Sequence, residues 1–266
     1  MNNIQSIARY SKKFSNEDLH EIIISKNLEI EAFVYYEKPI RVFMRLLENY
    51  FNTAPRGLSS YLPAMKIWIK EKLYMRKNII NNLKIIDSSF DKESLYFSDH
   101  HMSHAASAFY NSAYDDAIAI VVDANGSKTD EGIEIETIFD APSWKVLHKK
   151  YFSQDDVGIG KQYQQTCVNY GFDPEDAGKI MGLAATDDFE AKYVQELWEQ
   201  RALELAEYGH GRNLILTGGC FLNCKVNYLI RLNSPLDQKI YAEPVAHDGG
   251  TSIGAAYLAQ IRHTGH

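Results

Sequence analysis

The spacing of apolar positions changes along this chain, and the change divides it into two regions. Toward the N-terminus they recur at helical intervals, in Ile40-Arg41-Val42-Phe43-Met44-Arg45-Leu46-Leu47 and again in Met65-Lys66-Ile67-Trp68-Ile69. That spacing predicts two or three helices. Between them, Asn52-Thr53-Ala54-Pro55-Arg56-Gly57 carries a proline and a glycine and interrupts the pattern. Further on, Ala117-Ile118-Ala119-Ile120-Val121-Val122 is a short apolar run closed by Asp123 and Gly126, the signature of a strand buried on both faces. Ile133-Glu134-Ile135-Glu136-Thr137-Ile138 alternates apolar and acidic residues, which predicts a strand with one wet face, paired antiparallel with the first as a hairpin. Two more strands are expected, at Asn213-Leu214-Ile215-Leu216 and at Lys239-Ile240-Tyr241-Ala242. The latter runs into a turn at Pro244 and a glycine-rich segment that opens an alanine-rich final helix. The expected organisation is a largely helical segment over residues 1–92 and an α/β core over 93–266, with no internal repeat or low-complexity linker.

With 266 residues, 45% of them hydrophobic, the chain can bury a substantial core as one large domain or two lobes. Its net charge of −7 argues against a broad nucleic-acid surface in spite of the local run Lys70-Glu71-Lys72. The cysteines are Cys167, Cys220 and Cys224. Their odd number, with no secretory pattern after Met1, points to free thiols in a reducing cytoplasm. Cys220 and Cys224, lacking a second pair, read as buried structural thiols rather than half a zinc site. No apolar run approaches the roughly 20 residues of a membrane-spanning helix, so no membrane association is expected.

The segment Asp99-His100-His101-Met102-Ser103-His104-Ala105-Ala106-Ser107-Ala108 carries the most chemistry. Its alanines favour a helix, and on a helix His100 and His104 stand on one face within roughly 6 Å. Two such imidazoles can share a divalent ion of iron, zinc or manganese if a carboxylate completes the set; equally, they can be helix-terminal histidines satisfied by backbone or water. His101 points elsewhere, either to support the site, to meet a phosphate, or to sit as a partly exposed polar residue.

Each expected strand also ends in a glycine turn: Asp123-Ala124-Asn125-Gly126, Thr217-Gly218-Gly219 and His247-Asp248-Gly249-Gly250. Glycine lets backbone N–H groups approach a phosphate, so several such turns together suggest a nucleotide cleft. Asp123, at a strand end, suits metal-bound phosphate or substrate. Asp248 is a candidate for the missing hard ligand or, alternatively, a helix N-cap. Lys179, in Asp176-Ala177-Gly178-Lys179-Ile180-Met181-Gly182-Leu183-Ala184, could meet a phosphate or carbonyl oxygen, or simply be solvated.

Together, Asp99 to Tyr110, Gly178-Lys179-Ile180-Met181-Gly182-Leu183-Ala184, Gly218-Gly219-Cys220-Phe221-Leu222-Asn223-Cys224 and Asp248-Gly249-Gly250-Thr251-Ser252-Ile253-Gly254-Ala255-Ala256 resemble, in order, the O-carbamoyltransferases of the tobramycin, cephamycin and nodulation type. Tyr36-Glu37-Lys38-Pro39 and Ala54-Pro55-Arg56-Gly57 resemble that family's helical insertion, so the similarity runs from about residue 30 to 260. The family's catalytic domain is similar to the tRNA threonylcarbamoyltransferase subunit. The resemblance therefore implies a duplicated α/β domain of actin/sugar-kinase-like (ribonuclease H-like) fold. It implies a metal, iron above all, at His100, His104 and Asp248, and carbamoyl adenylate, formed from ATP, held by Asp123, Gly218, Gly219 and Asn223. Gly126 and Gly249 join the expected cofactor-binding set, and Asp123 and Lys179 the expected catalytic one.

Members usually begin with a strand and turn bearing a His and an Asp, which nothing before Glu29 supplies. They also carry a C-terminal YrdC-like domain that makes carbamoyl adenylate, whereas this sequence stops at His266. The resemblance thus implies an incomplete domain whose adenylate either comes from a separate YrdC-like chain or is missing. Transfer to a hydroxyl of a sugar or natural-product acceptor is the leading expectation. The alternative is a non-catalytic or truncated nucleotide-binding subunit that pairs with a full-length homologue.

Overall fold

The computed structural model describes residues 32–35, 38, 44, 47, 51, 65–66, 69, 73–129, 131–153 and 155–264. The helices expected at 40–47 and 65–69, the break at 52–57 and the basic run at 70–72 fall wholly or mainly outside them. Strand β1 (Phe33–Tyr35) pairs in parallel with β2 (Leu95–Phe97). Helix α1 (Met75–Ile86) seals this small sheet by packing Leu83 with Phe90 and Leu95. A strand within the segment expected to be helical is therefore joined to residues of the α/β core. Both strands run toward α2 (His100–Ser112), where Lys38 pairs with both carboxylate oxygens of Asp99 at 2.8 and 2.7 Å.

The main sheet has five strands. At its centre, β3 (Ala117–Val122) is buried along its whole length because its alternating side chains enter two different cores. Ile118, Ile120 and Val122 join one cluster, while Ala117, Ala119 and Val121 join another. Antiparallel β4 (Glu134–Ala141) and β5 (Lys145–Tyr151) lie on one side. Helices α3 (Ile159–Asn169), α4 (Ala177–Leu183) and α5 (Phe189–Ala206) follow in sequence. The chain then returns through β6 (Leu214–Thr217), parallel to β3, crosses over in α6 (Cys224–Asn233), and adds β7 (Ile240–Ala242) in parallel. The resulting order is β5-β4-β3-β6-β7. Helices α3 to α6 cover one face through Tyr163, Ile180, Trp198, Leu205 and Val226, and α2 covers the other, backed by α7 (Thr251–Thr264).

Two expectations are corrected. Strand β4 has no wet face: Glu134 and Glu136 are only 3% and 2% exposed. Alternation here reports which way the side chains point, and the acidic ones meet cations instead of water. Lys149 reaches Glu134 at 2.6 Å, and Arg201 of α5 grips Glu136 at 2.7 Å through Nη2 and at 3.2 Å through Nε. The thiols also differ from the expectation, since Cys167 is buried but Cys220 is only partly buried and Cys224 is exposed; Cys224 begins α6 on its outer side. The expected antiparallel pairing of β3 with β4 holds, across a longer connection than the turn that joins β4 to β5. Among the described residues, no helix is long and apolar enough to cross a membrane.

The position of α2 depends on small residues. Ala105, Ala106 and Ala108 have no exposed surface, so the helix lies close against the sheet. On its other side, a Cβ at Gly254 of α7 would overlap the Ser103 carbonyl and crowd the Ser107 amide. We therefore expect Gly254→Val to cost at least about 2 kcal/mol by forcing the two helices apart. Urea unfolding measures this, and an unchanged midpoint would contradict the packing described.

Candidate metal and nucleotide site

Four side chains from three separate stretches converge where β3 ends. His100 and His104 occupy successive turns of α2, Asp123 is the first residue after β3, and Asp248 opens the 3-10 turn Asp248–Gly250 ahead of α7. One donor atom from each lies within 4.8 Å of those of the other three. His100 Nε2 stands 3.1 Å from Asp123 Oδ2 and 3.4 Å from Asp248 Oδ1. The corresponding distances from His104 Nε2 are 3.3 and 3.6 Å, and the two Nε2 atoms are 3.2 Å apart. An ion with donors at about 2.0–2.2 Å spaces neighbouring ligands by about 3.0–3.5 Å, and the separations of 3.1 to 3.6 Å that involve the two imidazoles are close to that spacing. Their chemistry fits too, since two imidazoles and two carboxylates form a mixed N/O set for such metals.

Local structure aims each group. Asp123 Oδ1 accepts the Ala124 N–H at 2.7 Å, which leaves Oδ2 for the histidines. The His100 amide donates to Ser127 Oγ at 2.9 Å, tying the first turn of α2 to the loop after β3. Side-chain exposures of 3% and 1% for the two imidazoles and 12% for Asp123, against 39% for Asp248, show that the cluster opens on the Asp248 side.

Burial opposes charge here, yet mutual pairing overrides it. It would depress His100, but hydrogen bonds and charge from Asp123 and Asp248 push the imidazole up to about 10. It would raise both carboxyls, but the histidines hold Asp123 well below the usual range and Asp248 at about 2. His101 behaves oppositely. Burial and the neighbouring charge of His100 push it far down, and its Nδ1 lies 2.7 Å from Thr137 Oγ1. It is a buried neutral imidazole rather than a partly exposed one.

Against this cluster lies a cavity of about 530 Å³ whose wall includes Asp123 and Asp248. The loop after β3, α3, α4 and the turn after β6 enclose it, contributing Asn125, Gly160, Tyr163, Gly178, Met181, Gly219 and Asn223, with Trp198 of α5 behind. Gly160 is required for closure, because a Cβ there would overlap the backbone of Ala124. Tyr163 Oη donates to Gln195 Oε1 at 2.6 Å and Asn223 Nδ2 donates to the same oxygen at 2.8 Å, so these polar groups are held rigid.

The residues singled out from sequence separate accordingly. His100, His104 and Asp248 come together, and Asp123 joins them as a fourth candidate ligand. Gly219 and Asn223 line the cavity, and Asn223 also caps α6 by accepting the Val226 N–H at 3.1 Å. Gly218, Gly126 and Gly249 are not in its wall. Gly218 adopts φ +91° with its α-carbon against the Val122 carbonyl, Gly126 leaves room for the His101 ring, and Gly249 sits under His247. Lys179 is likewise outside the wall, its ammonium 2.7 Å from Asp176 and 4.9 Å from the centre of the Phe172 ring. Sequence reasoning missed Tyr163, Trp198 and Gly160. The Gly158-Ile159-Gly160 step opening α3 was the one available signal.

The strand order and the site at the strand ends define an α/β protein of actin/sugar-kinase-like fold. Among solved structures, T. kodakarensis HypF superposes with a TM-score of 0.50 at 14% identity, over 70% of this chain and 39% of that one. The family model described as Carbamoyltransferase N-terminus matches residues 10–208 and 199–257, and the chain belongs to that family. Nodulation protein NolNO of Sinorhizobium fredii is 24% identical over 247 residues, covering 73% of this chain and 35% of that protein. Uncharacterized protein sll1178 of Synechocystis sp. is 43% identical over 100 residues, 37% of this chain and 16% of that protein. The chain thus spans a minor part of the length of these relatives.

Without a bound cation the cluster is held by a proton. Its contribution to stability is full between the ordinary carboxyl value of 3.8 and the ordinary imidazole value of 6.5. It fades as pH rises through about 10 and as pH falls through about 2. A divalent ion bound to these four donors would take that proton's place, so at neutral pH binding should release one proton from His100 and strengthen about tenfold per pH unit. Calorimetric titration in buffers of different ionisation heat counts the protons; zero released would refute the assignment.

Proposed function

We propose that this chain carries out metal-dependent O-carbamoyl transfer from carbamoyl adenylate to a hydroxyl of a sugar or natural-product acceptor. The observation that supports the reading is that His100, His104, Asp123 and Asp248 cluster beside the cavity, as the ligands of a cation at one end of a nucleotide-sized space would. His100, His104, Asp123 and Asp248 would hold the ion, iron foremost, with zinc and manganese suited to the same donors. When bound, it supplies Lewis acidity that polarises a carbonyl and offsets phosphate charge.

The chain's own residues do the rest. Trp198, Met181 and Leu222 give the cavity apolar wall for a base, while Gly160 and Gly219 present backbone instead of side chain near Asp123. Enclosure by α3 and α4 limits access of water, which would otherwise compete with the acceptor for the activated carbamoyl group. In the reaction the acceptor oxygen bonds to the carbamoyl carbon and loses its proton, and the bond from that carbon to the AMP oxygen breaks. A YrdC-like adenylate-forming unit would supply the adenylate, and the free thiols suit a cytoplasmic setting. A second reading is a non-catalytic nucleotide-binding subunit partnered by a full-length homologue, in which the cavity would hold a nucleotide without transfer.

Supplying carbamoyl adenylate directly separates the two readings. The catalytic one expects carbamoylated acceptor, with His104→Ala losing the metal and at least about a thousandfold in rate while the fold is retained. Adenylate binding without transfer by the metal-loaded protein would support the partner subunit. Binding of neither a divalent ion nor adenylate would overturn the catalytic proposal.

A further inference from the structure

Beyond the four candidate ligands, two buried polar atoms beside the cluster stand without partners. Among the described residues, neither His104 Nδ1 nor Glu243 Oε2 makes a hydrogen bond, although His104 has no exposed surface and Glu243 only 5%. They belong to elements in contact: His104 is on α2, and Glu243 directly follows β7, which packs on α2. The backbone of Glu243 is fixed by donation of its N–H to the Leu216 carbonyl at 3.0 Å. Ser107, one turn beyond His104 on the same helix face, donates to Glu243 Oε1 at 3.4 Å. The carboxyl therefore sits on the side of α2 that carries His104. Burial pushes Glu243 up, while hydrogen bonds from Tyr241 and Ser107 and the nearby charge of His104 pull it down.

An imidazole that offers Nε2 to a cation must carry its proton on Nδ1. A buried N–H with no acceptor is costly, and metal-binding histidines as a rule hand this proton to a carboxylate, a carbonyl or a water. Resting on the metal site of the preceding reading, we propose that Glu243 is the positioning carboxylate for His104. It accepts the Nδ1–H through one buried water that also meets Ser107 Oγ, and so fixes the tautomer and aim of the ring. Three polar partners are what such a water requires. Glu243 touches neither the ion nor the substrate; it acts through His104.

The test compares wild type, Glu243→Leu and Glu243→Gln by titration with Zn²⁺, and records the ring N–H signals of ¹⁵N-histidine-labelled protein. Wild type should show an exchange-protected, downfield Nδ1–H assigned by its loss in His104→Ala. Glu243→Leu should lose that signal and bind Zn²⁺ about 10- to 100-fold more weakly. Glu243→Gln keeps the shape but offers a neutral acceptor, so the signal should move upfield; it carries the test if the leucine variant fails to fold. Folded variants that bind Zn²⁺ within twofold of wild type and keep the signal unmoved would overturn the proposal. A wild type that binds no Zn²⁺ would overturn the metal reading instead, and the N–H signal of the metal-free protein would still decide the link to Glu243.

Discussion

Two imidazoles and Asp123, all buried, with the half-buried Asp248 drawn against them, require a positive charge among them. Asp123 and Asp248 approach the same pair of Nε2 atoms at 3.1 to 3.6 Å, and in a low-dielectric interior two anions so close together are tolerable only with a cation between or beside them. A proton on His100 meets that requirement in the metal-free protein, and a divalent ion meets it better, because it satisfies all four donors at once. The rest of the architecture serves to hold four groups from distant stretches of sequence against their mutual desolvation.

The scaffold does this with rigid elements. Strand β3 delivers Asp123 from the middle of a sheet covered on both faces, so its position is fixed by two cores. Helix α2 delivers both histidines from a seat of buried alanines, clamped from behind at Gly254. The Asp248 turn is anchored by α7, which packs along α2. The side left open is the one that meets the cavity, so whatever occupies the cavity approaches the four-residue cluster from the Asp248 side. This is the usual location of ligands in open α/β sheets, outside the carboxyl ends of the strands.

Much of this was legible in the residues themselves. The runs that became β3 and β6 are short, apolar and closed by turns, because strands buried on both faces admit little else, and the shorter, half-buried β7 was legible from the turn at Pro244 that follows it. The histidine pair was legible as a candidate because a helix repeats its face every three to four residues, whereas the residues around Asp248 suited a helix N-cap equally well and only the family resemblance singled it out. Strand β5 was not, since its edge position leaves Lys145, Val146 and Leu147 exposed and its composition is that of a surface. The burial of Glu134 and Glu136 depends on Lys149 and Arg201, and no local pattern announces a partner sixty-five residues away. Lys179 was drawn toward the cavity by its flanking glycines, but one turn of helix carries its ammonium to Asp176. Membership of Asp123 in the cluster, and the approach of Glu243 from behind, are facts of tertiary packing alone.

The most direct examination of the central claim is X-ray absorption at the metal edge of protein loaded with one equivalent of divalent ion, in wild type and His104→Ala. The account predicts a first shell of nitrogen and oxygen at about 2.0–2.2 Å with the multiple-scattering signature of two imidazoles, reduced to one in the variant. A shell without imidazole, or one that the loss of His104 leaves unchanged, would contradict it.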